Sequence, residues 1–133
     1  MRTKNLVLAG LAAATLAGCA TDSNQTPRSQ QLWTPQGEAV SCITTSQIRS
    51  THVVDDRTIN FVMSGRNRMF RNDLPFACSG LSFNRAFQYN SRTTQLCSVD
   101  TITVIQAGRR GPTCGLGRFQ PMVPVEAPAT KVP

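Results

Sequence analysis

This sequence is poor in the side chains from which active sites are usually built. It has one histidine (His52), one tryptophan (Trp33) and one tyrosine (Tyr89), and lysine occurs only at positions 4 and 131. A single imidazole argues against a mixed Cys/His zinc site. The cysteine gaps of 36, 19 and 17 residues, from Cys42 through Cys78 and Cys97 to Cys114, contain no C-x-x-C pair. No G-x-S-x-G elbow is present, so a hydrolytic triad would have to be assembled from Ser50, His52 and Asp55-Asp56. The expected role of His52 is instead that of a hydrogen-bonded histidine on the core-facing side of a strand. Carboxylates are sparse, and each aspartate has a simpler duty than a glycosidase-like pair. Asp55-Asp56 reads as a turn, Asp73 as a loop former, and Asp100 as a strand-start residue or arginine partner. Gly115-x-Gly117 is followed by neither helix nor lysine, which removes a phosphate loop. The expectation is a protein that is not an enzyme, with no cofactor and no metal.

What is present begins at the amino terminus. Arg2 and Lys4 precede residues 6–17, an uncharged run broken only by Gly10 and Thr15. It falls short of the roughly 20 apolar residues that span a bilayer and suits a signal-peptide core. The run ends in Leu16-Ala17-Gly18-Cys19, which resembles the lipobox of bacterial lipoproteins. That resemblance implies diacylglycerol on the Cys19 thiol, cleavage before Cys19, and acylation of the new amino terminus by a chain such as palmitate. Several acyl chains hold a membrane where one is marginal. Ordinary secretory cleavage after Ala20 fits worse, because Gly18-Cys19-Ala20 is a poor A-x-A site. Ala20, where enterobacterial lipoproteins retained in the inner membrane usually carry Asp, implies by the same resemblance transfer to the outer membrane, facing the periplasm.

The expected organisation is a signal peptide over residues 1–18, a lipidated flexible tether over 19–38, one β-rich domain over 39–120, and a proline-rich disordered tail over 121–133. The tether is polar, with Leu32 and Trp33 its only large apolar residues. A domain of this size buries a modest core, so staples help. Cys42, Cys78, Cys97 and Cys114 form an even set that argues for two disulfides in an oxidising compartment. Three pairings are open. The preferred one is Cys78–Cys97, closing a local segment, with Cys42–Cys114 tying the ends together.

Hydrophobic periodicity is β-like throughout, and no window supports an amphipathic helix of ten residues. A two-residue turn at Asp55-Asp56 pairs His52 with Ile59, Ser50 with Phe61 and Ile48 with Met63, placing His52 and Val54 with Ile59, Phe61 and Met63 on one face. Asp-Asp is a weaker turn signal than Asp-Gly, so a slip of one residue is open. Further candidate strands cover residues 66–71, 83–89, 100–106 and 116–120, with a polar loop at 108–112. Five to seven short strands suggest a small disulfide-stapled antiparallel barrel or sandwich.

The Cys42 region, Val54-Asp55-Asp56-Arg57-Thr58-Ile59, Leu74-Pro75-x-x-Cys78-x-Gly80-Leu81, Leu96-Cys97-x-x-Asp100-x-Ile102 and Cys114-Gly115-Leu116-Gly117-x-Phe119 resemble a family of small proteobacterial lipoproteins of unknown function. The resemblance covers most of residues 42–122. It implies a single domain in the cell envelope and brings no catalytic residue.

Without residues 1–18 the chain has twelve basic and seven acidic residues, and eleven of the twelve are arginines. Guanidinium groups favour phosphate and carboxylate partners. Arg66, Arg68, Arg109 and Arg110 are the leading candidates for anion binding, alongside Arg71, Arg85, Arg92 and Arg118. The expected partners are membrane lipid through acylated Cys19 and an envelope protein or anionic lipid or polymer. Nucleic acid is not expected in this compartment, and the few aromatics form no stacking platform. A structural or interaction module is the leading reading, followed by an arginine-mediated anion binder and then a small hydrolase using His52.

Overall fold

The computed structural model describes residues 32–125. The signal-like run, Cys19, most of the tether and the end of the proline-rich segment lie outside the described residues. Within them are β1 (Trp33–Pro35), β2 (Cys42–Thr44), β3 (Ile48–Val53), β4 (Thr58–Met63), β5 (Met69–Asp73), α1 (Leu81–Asn84), β6 (Phe87–Asn90), β7 (Gln95–Cys97), β8 (Thr101–Gln106), β9 (Arg109–Gly115) and β10 (Phe119–Pro124). They form three antiparallel sheets, in the orders β1-β10-β5-β4-β3, β6-β8-β9 and β2-β7. The largest sheet is open, with β1 and β3 as its edges. The fold is therefore β-rich, antiparallel and disulfide-stapled. Strands beyond the expected five to seven include β1, β2 and β7, at three residues each too short to leave a periodicity, and β9, which takes up most of the expected 108–112 loop by pairing with β8.

Alternation along β4 buries Ile59, Phe61 and Met63, and β8 contributes Ile102 and Val104 to the same core. Phe61 is the central side chain. Its ring meets Phe119 of β10 edge-on at 5.5 Å and Phe87 of β6 at 6.3 Å, so the apolar faces of the two larger sheets share one core. Each such fully buried side chain contributes about 1.5–3 kcal/mol of transfer free energy. Leu74, Leu81, Leu96, Leu116 and Ile43 complete the cluster.

The β3–β4 register differs from the two-residue-turn expectation. Val53 pairs with Ile59, His52 with Asn60 and Thr51 with Phe61. The turn is wider because the Thr58 carbonyl accepts from both Val54 and Asp55, and Asp55 Oδ1 accepts the Arg57 N–H at 2.7 Å. An irregularity between Ile48 and Ser50 absorbs the slip, so Ile48 still pairs with Met63. A one-residue slip moves side chains to the opposite face. His52 and Val54 consequently point outward and are exposed rather than core-facing.

The disulfides are Cys42–Cys97 and Cys78–Cys114, in place of the preferred Cys78–Cys97 and Cys42–Cys114. The reason is strand pairing. Cys42 and Cys97 are direct partners in the β2–β7 ladder, with Cα atoms 4.0 Å apart. Cys78 precedes α1 and reaches Cys114 on β9, tying α1 to the three-stranded sheet.

The folded body also extends past residues 39–120. β1 pairs Trp33 with Pro124 and Pro35 with Met122, so part of the expected tether and the first residues of the expected tail are sheet. The prolines are tolerated because an antiparallel residue points its N–H and C=O to the same side. Pro35 points to the open edge, whereas Pro124 faces beyond the last β5 pair, Met122–Met69. Pro121 still accepts from the Gln36 N–H at 2.9 Å, forgoing only the reciprocal bond. Where the chain returns from β9 to β10, fully buried Asn72 holds Gly117. Its Nδ2 donates to the Gly117 carbonyl at 2.7 Å and its Oδ1 accepts the Gly117 N–H at 2.8 Å.

Candidate functional site

Two clefts of opposite character lie at the two ends of β4. At its start, Asp55, Asp56, Arg57, Thr58, Asp73, Ala77 and Ser82 line a cleft of about 600 Å³. At its end, Trp33, Arg49, Val62, Met63, Gly65, Arg66, Asn67 and Arg68 line one of about 500 Å³. The five steps from Thr58 to Met63 separate them by about 17 Å.

The acidic cleft is occupied with holding the fold together. Asp56 Oδ1 accepts the Ser82 N–H at 2.8 Å, and its main-chain carbonyl accepts the Cys78 N–H at 2.7 Å. Donation from the Ser82 backbone N–H holds the Asp56 carboxyl below its ordinary value, assisted by the Ser82 side chain and Leu81 N–H and opposed by partial desolvation. Asp73 Oδ1 accepts from the Thr58 hydroxyl at 3.2 Å. Arg57 donates to the Leu74 and Pro75 carbonyls, placing one positive charge among the three carboxylates. Among the described residues no three of the His, Cys, Asp and Glu side chains come together as a metal-ligand set.

The basic cleft has no such internal partners. Arg66 and Arg68 lie in the turn between β4 and β5 rather than on a strand, exposed, with Gly65 at φ +100° and Asn67 at φ 56° shaping the turn. Both arginines line the cleft, and Gly65 adopts its positive φ without steric cost. Arg49 joins them because the Ile48–Met63 pairing sets the irregular point of β3 beside this turn. The guanidinium groups of Arg49, Arg66 and Arg68 make no hydrogen bond or ion pair within residues 32–125. Trp33 on β1 closes the cleft from the other edge strand.

Other candidates are placed elsewhere. Arg109 and Arg110 open β9, opposite Gln106 and Ile105 in the three-stranded sheet, and line neither cleft. The four leading arginines are thus two separate pairs. His52 heads a cross-strand row with Asn60, Arg71 and Gln120. In that row Asn60 Oδ1 and Arg71 Nε are buried without a hydrogen-bond partner. His52 itself bonds neither Ser50 nor any carboxylate among the described residues, so no triad is assembled. Asp100 accepts the Cys97 N–H at 2.7 Å and closes the turn into β8. Phe83, expected on a strand with Phe87 and Tyr89, stands on α1 and is 89 % exposed, beyond Phe76 at 81 %.

Arg49 and Trp33 line the cleft without having been among the anion-binding candidates. The Ile48–Met63 pairing was a usable signal for Arg49, since it brings position 49 to the β4–β5 turn. Trp33 carried none, because a three-residue strand containing proline has no readable period.

No curated protein and no solved structure matches the chain. The model of a family of unknown function, DUF6491, matches residues 2–131, and the chain belongs to that family.

Proposed function

We propose that this protein is a non-enzymatic interaction or structural module of the cell envelope, held at the periplasmic face of the outer membrane by lipid on Cys19. The observation that carries this reading is the division of labour among five cysteines. Four are joined to each other as Cys42–Cys97 and Cys78–Cys114, which leaves Cys19 at the end of the signal-like run as the odd thiol. Two disulfides in a small domain fit an oxidising compartment. The isolated His52 and the structurally engaged aspartates support a binding rather than a catalytic role. Labelling cells with radioactive palmitate tests the anchor. Wild-type protein should take up label and fractionate with the outer membrane, and Cys19→Ala should do neither. Equal labelling of the variant would remove the lipid-anchor reading.

A second reading is favoured by the basic cleft: the folded body binds anionic groups of the envelope. Three arginines facing one cleft that no carboxylate among the described residues lines repel each other, and a bound anion relieves that repulsion.

A further inference from the structure

We propose that the cleft formed by Trp33, Arg49, Arg66 and Arg68 is a binding site for the phosphate group of an anionic membrane lipid. The inference rests on the anion-binding reading above and names its ligand. Guanidinium groups form paired, charge-assisted hydrogen bonds with phosphate oxygens, and three converge here with no carboxylate partner among the described residues. Asp55, Asp56 and Asp73 sit at the far end of β4, about 17 Å away by strand rise. That exceeds the Debye length of about 8 Å at physiological salt, so these three aspartates contribute little to the field at the cleft.

Trp33 and Val62 distinguish a lipid headgroup from free phosphate. An indole combines an apolar body with one donor N–H and suits the boundary between hydrocarbon and water. The route of the chain agrees. Trp33 opens β1 and lies fourteen residues after Cys19, a span of at most about 50 Å when fully extended. With Cys19 in a membrane, the basic end of the sheet is the end at which the chain arrives from the bilayer. Charge segregation along β4 then orients the body, arginines toward the anionic surface and aspartates away from it.

Trp33 is the only tryptophan, so its emission reports on the cleft directly. The full chain in non-ionic detergent micelles is titrated with dihexanoyl phosphatidylglycerol, dihexanoyl phosphatidylcholine and inorganic phosphate, and with heparin as a general polyanion. Phosphatidylglycerol should give a saturable change in Trp33 emission that weakens at least tenfold between about 0.05 and about 0.5 M salt. Arg66→Gln and Arg68→Gln should each weaken it by about tenfold, with Arg109→Gln and Arg110→Gln unchanged. Non-reducing mass spectrometry checks that every variant keeps both disulfides. Equal response to phosphatidylcholine, or inorganic phosphate binding as tightly as phosphatidylglycerol, overturns the lipid assignment. In the latter case the anion-binding reading stands. Loss in the Arg109 and Arg110 variants but not in those of Arg66 and Arg68 overturns the choice of cleft. Silence toward all four probes overturns both inference and reading.

Discussion

Asn72 offers the sharpest test of how this fold is held together. Its side chain is fully buried on β5 and satisfies both peptide groups of Gly117, clipping the connection that brings the chain from the small sheet back to β10. Asn72→Ala deletes both hydrogen bonds and leaves a donor and an acceptor without partners. Each orphan costs about 1–3 kcal/mol, and the small cavity adds to this. The expected loss is about 3–5 kcal/mol, a large part of the about 5–15 kcal/mol typical of a domain. Urea denaturation with disulfides intact should show the midpoint falling by about 2–3 M with little change in slope. Asn72→Asp sharpens the logic. A buried carboxylate is desolvated and faces the Gly117 carbonyl, so its folded-state pKa rises above the unfolded value. The neutral form can donate as the amide does. Stability of this variant should therefore be greatest below the unfolded carboxylate value and fall as pH rises through the folded one. A midpoint shift under about 0.5 M for Asn72→Ala, or an Asn72→Asp variant least stable in acid, would refute the clip.

Three further outcomes follow from other parts of the structure. A Cβ at Gly117 would lie 2.0 Å from the Asp73 carbonyl oxygen, so Gly117→Ala should cost about 3 kcal/mol. Gly115→Ala, with nothing within 4 Å, should stay within about 0.5 kcal/mol by the same denaturation assay, and equal effects would discredit the packing argument. Non-reducing peptide mapping should recover Cys42–Cys97 and Cys78–Cys114, and removing either bridge should cost about 4 kcal/mol; any other pairing contradicts the topology. The lowered Asp56 value means its contribution is fully present above the ordinary 3.8 and is lost as pH falls through the folded value. Hydrogen-exchange protection of the Ser82 amide, corrected for intrinsic rate, should drop in that acid range in wild type and stay flat in Asp56→Asn. Parallel profiles would show that the carboxylate does not hold α1.

Several features were legible because they depend on local chemistry. Alternation of Ile59, Phe61 and Met63 marked the inner face of β4, and β-branched residues marked β8. Four cysteines in the domain predicted staples. The turn at Asp55-Asp56 was visible, but its width was not. That width depends on the Thr58 carbonyl receiving two N–H groups, a main-chain event that any residues of similar type permit. One residue of slip was enough to carry His52 from the expected core to solvent. The arginines were visible as a composition bias. Their division into a pair beside Trp33 and a pair on β9 was not.

The amino-acid sequence by itself determined the β character, the even set of domain cysteines, the scarcity of catalytic groups and the signal-like run ending in Cys19. These follow from side-chain type and spacing along a few residues. Tertiary structure alone decided which cysteines meet, that Trp33–Pro35 and Phe119–Pro124 join one sheet, and that Asn72 clasps Gly117 across 45 residues. It also decided that Arg49, Arg66 and Arg68 gather at one end of β4 and Asp55, Asp56 and Asp73 at the other. The physical reason is common to all four. Pairing between distant segments is set by the best joint burial and hydrogen bonding of the whole chain, and no local window contains both partners.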